Sequence, residues 1–506
     1  MLPTATPLLR DVSVLRGDSE TIYLQLCRQI REKILCGDLE IGIRLPSTRE
    51  LAVEIGVSRT TIREVYEQLI AECYLSSTRG KGTFVIVHPA LNSNLLGRTS
   101  PSSFSRPGGG SLSRSASMIS KRGRQLLSLP LSHTASEFVP FNPALPDFNL
   151  FPFAKWSRIL KKTLINRNHA AMFYGDSSGY FPLKQAIAQN LRYSRGLVCD
   201  PDQVIVVASS EQAIQRIVYL LMDRGDYAWF GEPGMSARRN AFRTLGIKTL
   251  TVEVDNQGVI VEQAYQFRQK AKIAYVVPSG HYPVGHVMSL PRRLELLNWA
   301  SKHNAWIIED DFCSEFNFSG LAPPPIQSME INQQVIYLGG FSMTLFPSLR
   351  LSYLVVPEKL VDAVKSIAQT EQSVSSVLQP ALAEFISGGH FMTHVRNMRK
   401  TYRRRQQFLV QYLEHHLGDI TTISGTDGGS NIILNLPAPV NDEVLSEAIG
   451  RQGIIAHSLS SYYLQAKKPD ESGNALVLGF ACSPRAELER CARLLVEQVK
   501  ISVGNS

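Results

Sequence analysis

Residues 99–124 read TSPSSFSRPGGGSLSRSASMISKRGR. The stretch is built from Ser, Gly and Arg and has no apolar periodicity. It cannot bury enough surface to offset the cost of ordering its backbone, on the order of 1–2 kcal/mol per residue. It reads as a flexible connector, and a chain interrupted in this way must build two separate cores. The expected plan is a small domain over 19–88, a basic Ser/Gly-rich linker over 89–137 and a large domain over 138–500. Apolar residues make up 44% and charged residues 19% of the 506, an ordinary globular composition, so disorder of the whole chain is excluded. No apolar run approaches the roughly 18 residues that cross a bilayer. The start of the chain, with Pro3, Pro7, Arg10 and Asp11, lacks a signal-peptide core, so a cytoplasmic protein with no membrane contact is expected. The seven cysteines are odd in number and show no CxxC pairing, which argues against a disulfide framework and a cysteine zinc site.

The net charge of +9 is unevenly placed. Residues 1–72 hold nine Lys/Arg against eleven Asp/Glu, whereas residues 73–136 hold eight Lys/Arg and no acid. That concentration suits a polyanionic partner, although a solvated basic linker has the same composition.

In the first block Ile22, Leu26, Ile30 and Ile34 recur every four residues and make one apolar helical face, ended by Gly37-Asp38. Ser47-Thr48-Arg49-Glu50 fits a capping box before Leu51 and Ile55. Gly56-Val57 breaks that helix, and Ser58 can cap a third with the stripe Ile62, Val65, Tyr66 and Leu69. Its opposite face shows Arg59, Thr60 and Arg63. Residues 74–87 then read as a hairpin with Arg79-Gly80-Lys81-Gly82 at its tip. Three helices and a two-stranded hairpin make an α+β winged helix-turn-helix. A recognition helix presents its N-terminal residues to base edges and phosphates. Arg59 can pair bidentately with guanine, and the Thr60 and Thr61 hydroxyls can reach phosphate or base edges. The cationic tip suits the DNA backbone, with glycines that permit close approach. The alternative is a charged surface face with no partner. The run RLPSTRELAVEIGVSRTTIREVYEQLIAECYL…GKGTFV resembles the GntR-family winged helix over roughly residues 19–88. The resemblance implies DNA contacts at Arg49, Ser58, Arg59, Thr60, Thr61 and Arg63, with Arg79 and Gly80 from the wing and Arg44 and Lys81 on phosphates. Cys73 departs from the family's acidic or Glu-Gly turn before the wing.

The second block alternates apolar β-rich runs with helical stretches: QVIVVA (203–208), YAWF (227–230), KIAYVVP (272–278), NAWIIEDD (304–311) and QVIYLGG (334–340), with LPRRLELLNWASKH (290–303) among the helices. Such alternation implies a mixed, mostly parallel sheet in an α/β domain, with any ligand at the carboxyl ends of the strands. Asp310 and Arg350 stand after two of these runs, where a carboxylate and an arginine can hold a cationic heterocycle and a phosphate. Each alone is more often structural. The stretches FNPALPDFNLFP (141–152), YGDSSGYFPLKQAIAQNLRYSRGLVCDPDQVIV (174–206), SSEQAI (209–214), GEPG (231–234), PSGHYPVGHVMSLPRRLELLNWA (278–300), EDDFCSEF (309–316) and FSMTLFPSLRLSYLVVP (341–357) resemble a fold-type I aminotransferase. Joined to the first block, they resemble the effector domain of the MocR (GabR-like) subfamily of GntR regulators, with a large and a small subdomain.

That resemblance implies a pyridoxal phosphate site, and this chain departs from it. Met343 stands where the family has the lysine that forms the Schiff base. A thioether cannot condense with an aldehyde or shuttle the proton of a transamination, so covalent cofactor binding and the usual chemistry are excluded. Phe312 and Met235 replace tyrosines, Ser209 a glycine, Gly340 a hydroxyl residue, and Val477 the arginine that binds substrate carboxylate. Asp310 is retained opposite a pyridine nitrogen, and Ser210, Ser342 and Arg350 around a phosphate. The pocket formed by Ser210, Asp310, Phe312, Ser342, Met343 and Arg350 is thus open to pyridoxal phosphate held non-covalently, to another small molecule, or to no ligand. The expectation is a dimeric regulator of operator DNA, head-to-tail by resemblance, whose aminotransferase-like domain is a pseudoenzyme used for dimerisation and metabolite sensing. The alternatives are an active aminotransferase with a DNA-binding appendage and a ligand-independent DNA-binding protein.

Overall fold

The computed structural model describes residues 9, 12–16, 20–78, 80–86, 119–127, 139–167, 175–318, 320, 323–371, 374–438, 440–464 and 474–504. The chain divides into two compact units, Met1–Met118 and Ile119–Ser506.

In the first unit helix α1 spans Ile22–Cys36, α2 Thr48–Ile55 and α3 Arg59–Ala71. The periodic positions explain them, since Leu26, Ile30, Leu51, Ile62, Val65 and Leu69 are all buried in one core. Each helix begins on a hydroxyl cap. Ser47 and Glu50 form the expected reciprocal capping box, and the Ser58 hydroxyl accepts from the Thr61 backbone N–H at 3.1 Å. Strand β1, Leu75–Thr78, pairs antiparallel with β2, Gly82–Val85, to make the wing. Segment 42–45 adds a further edge: Gly42 and Leu45 donate backbone hydrogen bonds to Val85 and Thr83. The core also takes in Leu9 and Val12, upstream of the boundary expected at residue 19.

Cys73, between α3 and the wing, lies at φ +60° with its side chain exposed. The left-handed region costs an L-residue roughly 1–2 kcal/mol, and glycine avoids that at an entropic cost of about 0.5–1 kcal/mol. Replacing Cys73 with Gly is therefore expected to stabilise the first unit by about 0.5–1 kcal/mol, read as a higher urea midpoint of its unfolding transition in the full chain. A lower midpoint would show that the turn is unstrained.

The second unit holds an eight-stranded sheet in the order β3-β10-β9-β8-β7-β4-β5-β6. The strands are β3 Val204–Val207, β4 Tyr227–Glu232, β5 Lys248–Asp255, β6 Gly258–Val259, β7 Ala271–Val276, β8 Trp306–Asp310, β9 Val335–Gly340 and β10 Ser352–Val355. Strand β10 runs antiparallel to both neighbours, β3 and β9, and β6 runs antiparallel to β5, while the remaining pairings are parallel. A smaller antiparallel sheet follows, in the order β11-β12-β14-β13 over Thr422–Ser424, Asn431–Asn435, Ala475–Gly479 and His457–Ser458. Its apolar side packs with helices His390–Leu417 and Arg485–Gly504 through Leu409, Leu413, Leu434, Leu478, Leu488 and Leu495. These are the large and small subdomains expected of the α/β block. The stretch read as a flexible linker differs at its end: Lys121–Leu127 form a helix, and the Arg122 Nε donates to the Thr244 carbonyl at 3.1 Å. A local i,i+4 backbone ladder and a docked guanidinium are possible there because the Ser/Gly density ends before Lys121.

Candidate functional site

Two groups of residues carry the candidate chemistry. In the first unit Arg49, Ser58, Arg59, Thr60 and Arg63 are exposed along the starts of α2 and α3, and Gly80 and Lys81 are exposed at the wing. Arg79 lies outside the described residues. Arg59 makes no hydrogen bond or ion pair among the described residues, whereas the Arg63 Nε lies 3.8 Å from Glu67 in a fully hydrated pair. The hydroxyls of Ser58 and Thr61 face each other at 2.9 Å, so both help to cap α3 as well as facing outward. Arg44 packs against the wing: a Cβ on Gly82, which sits at φ +112°, would come within 2.7 Å of the Arg44 Nε. The free donors of the first turn of α3 and its dipole favour anions in front of Arg59 and Thr60.

In the second unit the sheet order assembles a rim. Ser352, which opens β10, pairs with Val207 at the end of β3 and with Gly340 at the end of β9. Ser209-Ser210, Ser342-Met343 and Arg350 therefore emerge at one edge, and Asp310 ends β8 beside β9. Ser209 caps the helix Ser210–Leu221 by accepting from the Gln212 N–H at 3.3 Å. Ser342 and Arg350 are exposed. Met343 is 6% exposed and belongs to the apolar cluster that includes Phe141, Cys313, Met398 and Tyr402. Phe312 is half-buried and meets Tyr282 edge-on at 5.6 Å. Val477 is fully buried in the small subdomain beside Ile433 and Leu459, leaving no charged side chain at that position.

Asp310 departs from the expectation. It does not wait for a ring nitrogen: its Oδ2 accepts from the Arg238 Nε at 3.2 Å and from the Tyr275 hydroxyl. The same Arg238 reaches the Glu211 carboxylate through Nη1. Burial pushes the Asp310 carboxyl up, against the opposing pull of Arg238 and Tyr275. Glu211, whose side chain is about half exposed, is driven the other way, because Arg238, its own backbone N–H, Ser209 and Arg350 outweigh its partial loss of water. The residues expected to receive pyridoxal phosphate thus do not fit it. Position 343 offers a thioether and no amine, Asp310 Oδ2 is already bonded to Arg238 and Tyr275, and the Glu211 carboxylate directly follows Ser210. Sequence reasoning passed over Arg238 and Glu211. The available signals were an Arg-Arg pair one turn after Met235 and an acid directly after Ser210.

The neighbouring Asp311 faces another set of partners. Arg195 holds it with two bonds of 3.0 Å, and the Ser279 and Ser314 hydroxyls donate to it at 2.7 Å each, as does the Tyr337 hydroxyl. Lys184, the single lysine in the stretches that carry the resemblance, has its Nζ on Asp202 at 3.3 Å and Ser178 at 3.4 Å. Among the described residues no group of three or more His, Cys, Asp or Glu is placed to hold a metal, and no helix is long and apolar enough to cross a membrane.

A winged helix beside an aminotransferase-type fold defines a composite DNA-binding regulator. The gntR family of bacterial regulatory proteins matches residues 22–85, and the aminotransferase class I and II family matches residues 145–493. The chain belongs to the MocR subfamily of GntR transcription regulators. It is 37% identical over 470 residues to the probable rhizopine catabolism regulatory protein MocR of Rhizobium meliloti, covering 92% of each chain. It is 27% identical over 478 residues to the pyridoxine biosynthesis transcriptional regulator PdxR of Corynebacterium glutamicum, covering 94% of this chain and 95% of the relative. The multiple substrate aminotransferase of Thermococcus profundus shares the fold of the second unit at TM-score 0.68 and 23% identity, covering 77% of this chain and 99% of that one.

Proposed function

We propose that this regulator reads operator DNA as a homodimer, through Arg49, Ser58, Arg59, Thr60, Thr61 and Arg63 on its helices and Arg79, Gly80 and Lys81 on its wing. Its aminotransferase-like domain dimerises and performs no transamination. The observation that carries the first part is the N-terminal turn of α3, where Arg59 and Thr60 stand exposed and Arg59 has no partner among the described residues. Two winged helices related by a dimer axis read two half-sites, as a palindrome or a direct repeat. The basic stretch 73–136 adds sequence-independent affinity that falls steeply with salt.

The second part rests on Met343. No amine stands at the Schiff-base position, and Lys184 is committed to Asp202 and Ser178. A small molecule that enters this rim is held non-covalently and acts as an effector rather than a substrate. The test is selection of bound duplexes from a random pool by the full-length protein, with sedimentation of the bound species. Enrichment of a two-part site by a protein dimer is the expected result. Binding that enriches no sequence would overturn operator reading, and a monomer on a single half-site would overturn the dimer.

A further inference from the structure

Arg238 comes from helix Ser236–Thr244, just beyond the end of β4, and its side chain is 13% exposed. Its guanidinium spans two carboxylates that belong to different parts of the rim. The Nε is on Asp310 at the end of β8, and Nη1 is on Glu211 in the first turn of the helix Ser210–Leu221. Tyr275, buried in β7, donates to the same Asp310 oxygen, so both bonds converge on Oδ2. Glu211 in turn lies within the field of Arg350 and next to the Ser209 hydroxyl.

We propose that Arg238 is a resident plug of the ancestral cofactor seat, with its guanidinium standing in for a cationic ring opposite Asp310 and the Glu211 carboxylate standing in for the phosphate at the helix start. The inference rests on reading this rim as a vestigial pyridoxal phosphate site. Two physical facts carry it. A cationic ring that bonds Asp310 Oδ2 competes with a guanidinium whose side chain is largely buried, and removing one partner of such an ion pair leaves an uncompensated charge. A phosphate dianion arriving at Ser210 and Arg350 meets the Glu211 carboxylate at short range, where like charges repel most strongly. The chain therefore closes the seat from within, and the methionine at position 343 is one of three barriers to the cofactor, with the Arg238 guanidinium and the Glu211 carboxylate. Arg238 is a positioning residue, because it touches the acid that would otherwise hold the ring.

The test uses the full-length protein and pyridoxal phosphate, with borohydride trapping, intact mass and peptide mapping. Wild type and Met343→Lys are expected to gain no adduct at position 343. Arg238→Ala/Met343→Lys is expected to gain a partial pyridoxyl label there, rising towards one group per chain in Glu211→Gln/Arg238→Ala/Met343→Lys. If Met343→Lys alone is labelled as fully as the double variant, the plug is refuted. If the double variant and Glu211→Gln/Arg238→Ala/Met343→Lys, which also removes the carboxylate left unpaired, are folded by circular dichroism yet unlabelled, both the plug and the vestigial-seat reading fall. Because Met343 lies in an apolar cluster, wild type and Arg238→Ala are titrated in parallel by calorimetry. Heat of binding only in Arg238→Ala supports the plug, and equal binding by both overturns it.

Discussion

Arg59→Ala is expected to abolish selective operator binding while leaving the protein folded. Arg59 is exposed at the first position of α3 and makes no hydrogen bond or ion pair among the described residues, so its removal disturbs no core contact and no cap. A bidentate arginine–guanine pair discriminates by about 1–3 kcal/mol, so two copies in a dimer amount to about 2–6 kcal/mol. That is a loss of roughly thirtyfold to twenty-thousandfold in affinity for the selected site, with little change for random duplex. Lys81→Ala is the useful contrast, because a phosphate contact weakens all sequences alike and lowers the salt slope by about one per copy. Both are read by titrating labelled duplexes at several salt concentrations. Undiminished discrimination by a folded Arg59→Ala protein would remove α3 from its assigned role.

Asp311→Ala carries the second large effect, on stability. Arg195 is 8% exposed on its side chain and its pair with Asp311 is 3.0 Å long, so the substitution strands a buried guanidinium. Breaking such a pair costs about 3–5 kcal/mol, and the Ser279, Ser314 and Tyr337 hydroxyls lose their acceptor as well. The melting temperature of the second unit should fall by several degrees. Arg195→Met/Asp311→Leu should recover much of the loss, because well-packed apolar replacement of a buried pair is often neutral. A fall no larger than a surface substitution gives, about 0.5 kcal/mol, would mean that this hub does not hold the rim.

The first unit was legible almost residue by residue, and the reason is locality. The Ser47–Glu50 box and the Ser58 cap are made by residues three apart, and the buried stripes follow helical periodicity. The strands β3, β4, β7, β8 and β9 were legible for a related reason: each is buried on both faces and so reads as a continuous apolar run. Strand β5 escaped notice because it lies near the sheet edge, beside the two-residue β6, and mixes exposed with buried positions. Helix Lys121–Leu127 was hidden by the composition of the segment before it.

The candidate pocket divides along the same line. That position 343 holds a thioether and no amine is a property of one residue and needs no fold to be read. The pairing of Arg238 with both Glu211 and Asp310 joins residues 27 and 72 positions apart, from the ends of different strands. So the sequence by itself determined the helices of the winged helix-turn-helix, the mostly parallel α/β class and the methionine at position 343, each written in neighbouring residues or single side chains. Only the tertiary structure decided that Asp310 is already paired with Arg238 and Tyr275. A buried charge takes whichever counter-charge the strand order sets beside it, and strand order is the outcome of long-range pairing, to which no local pattern gives access.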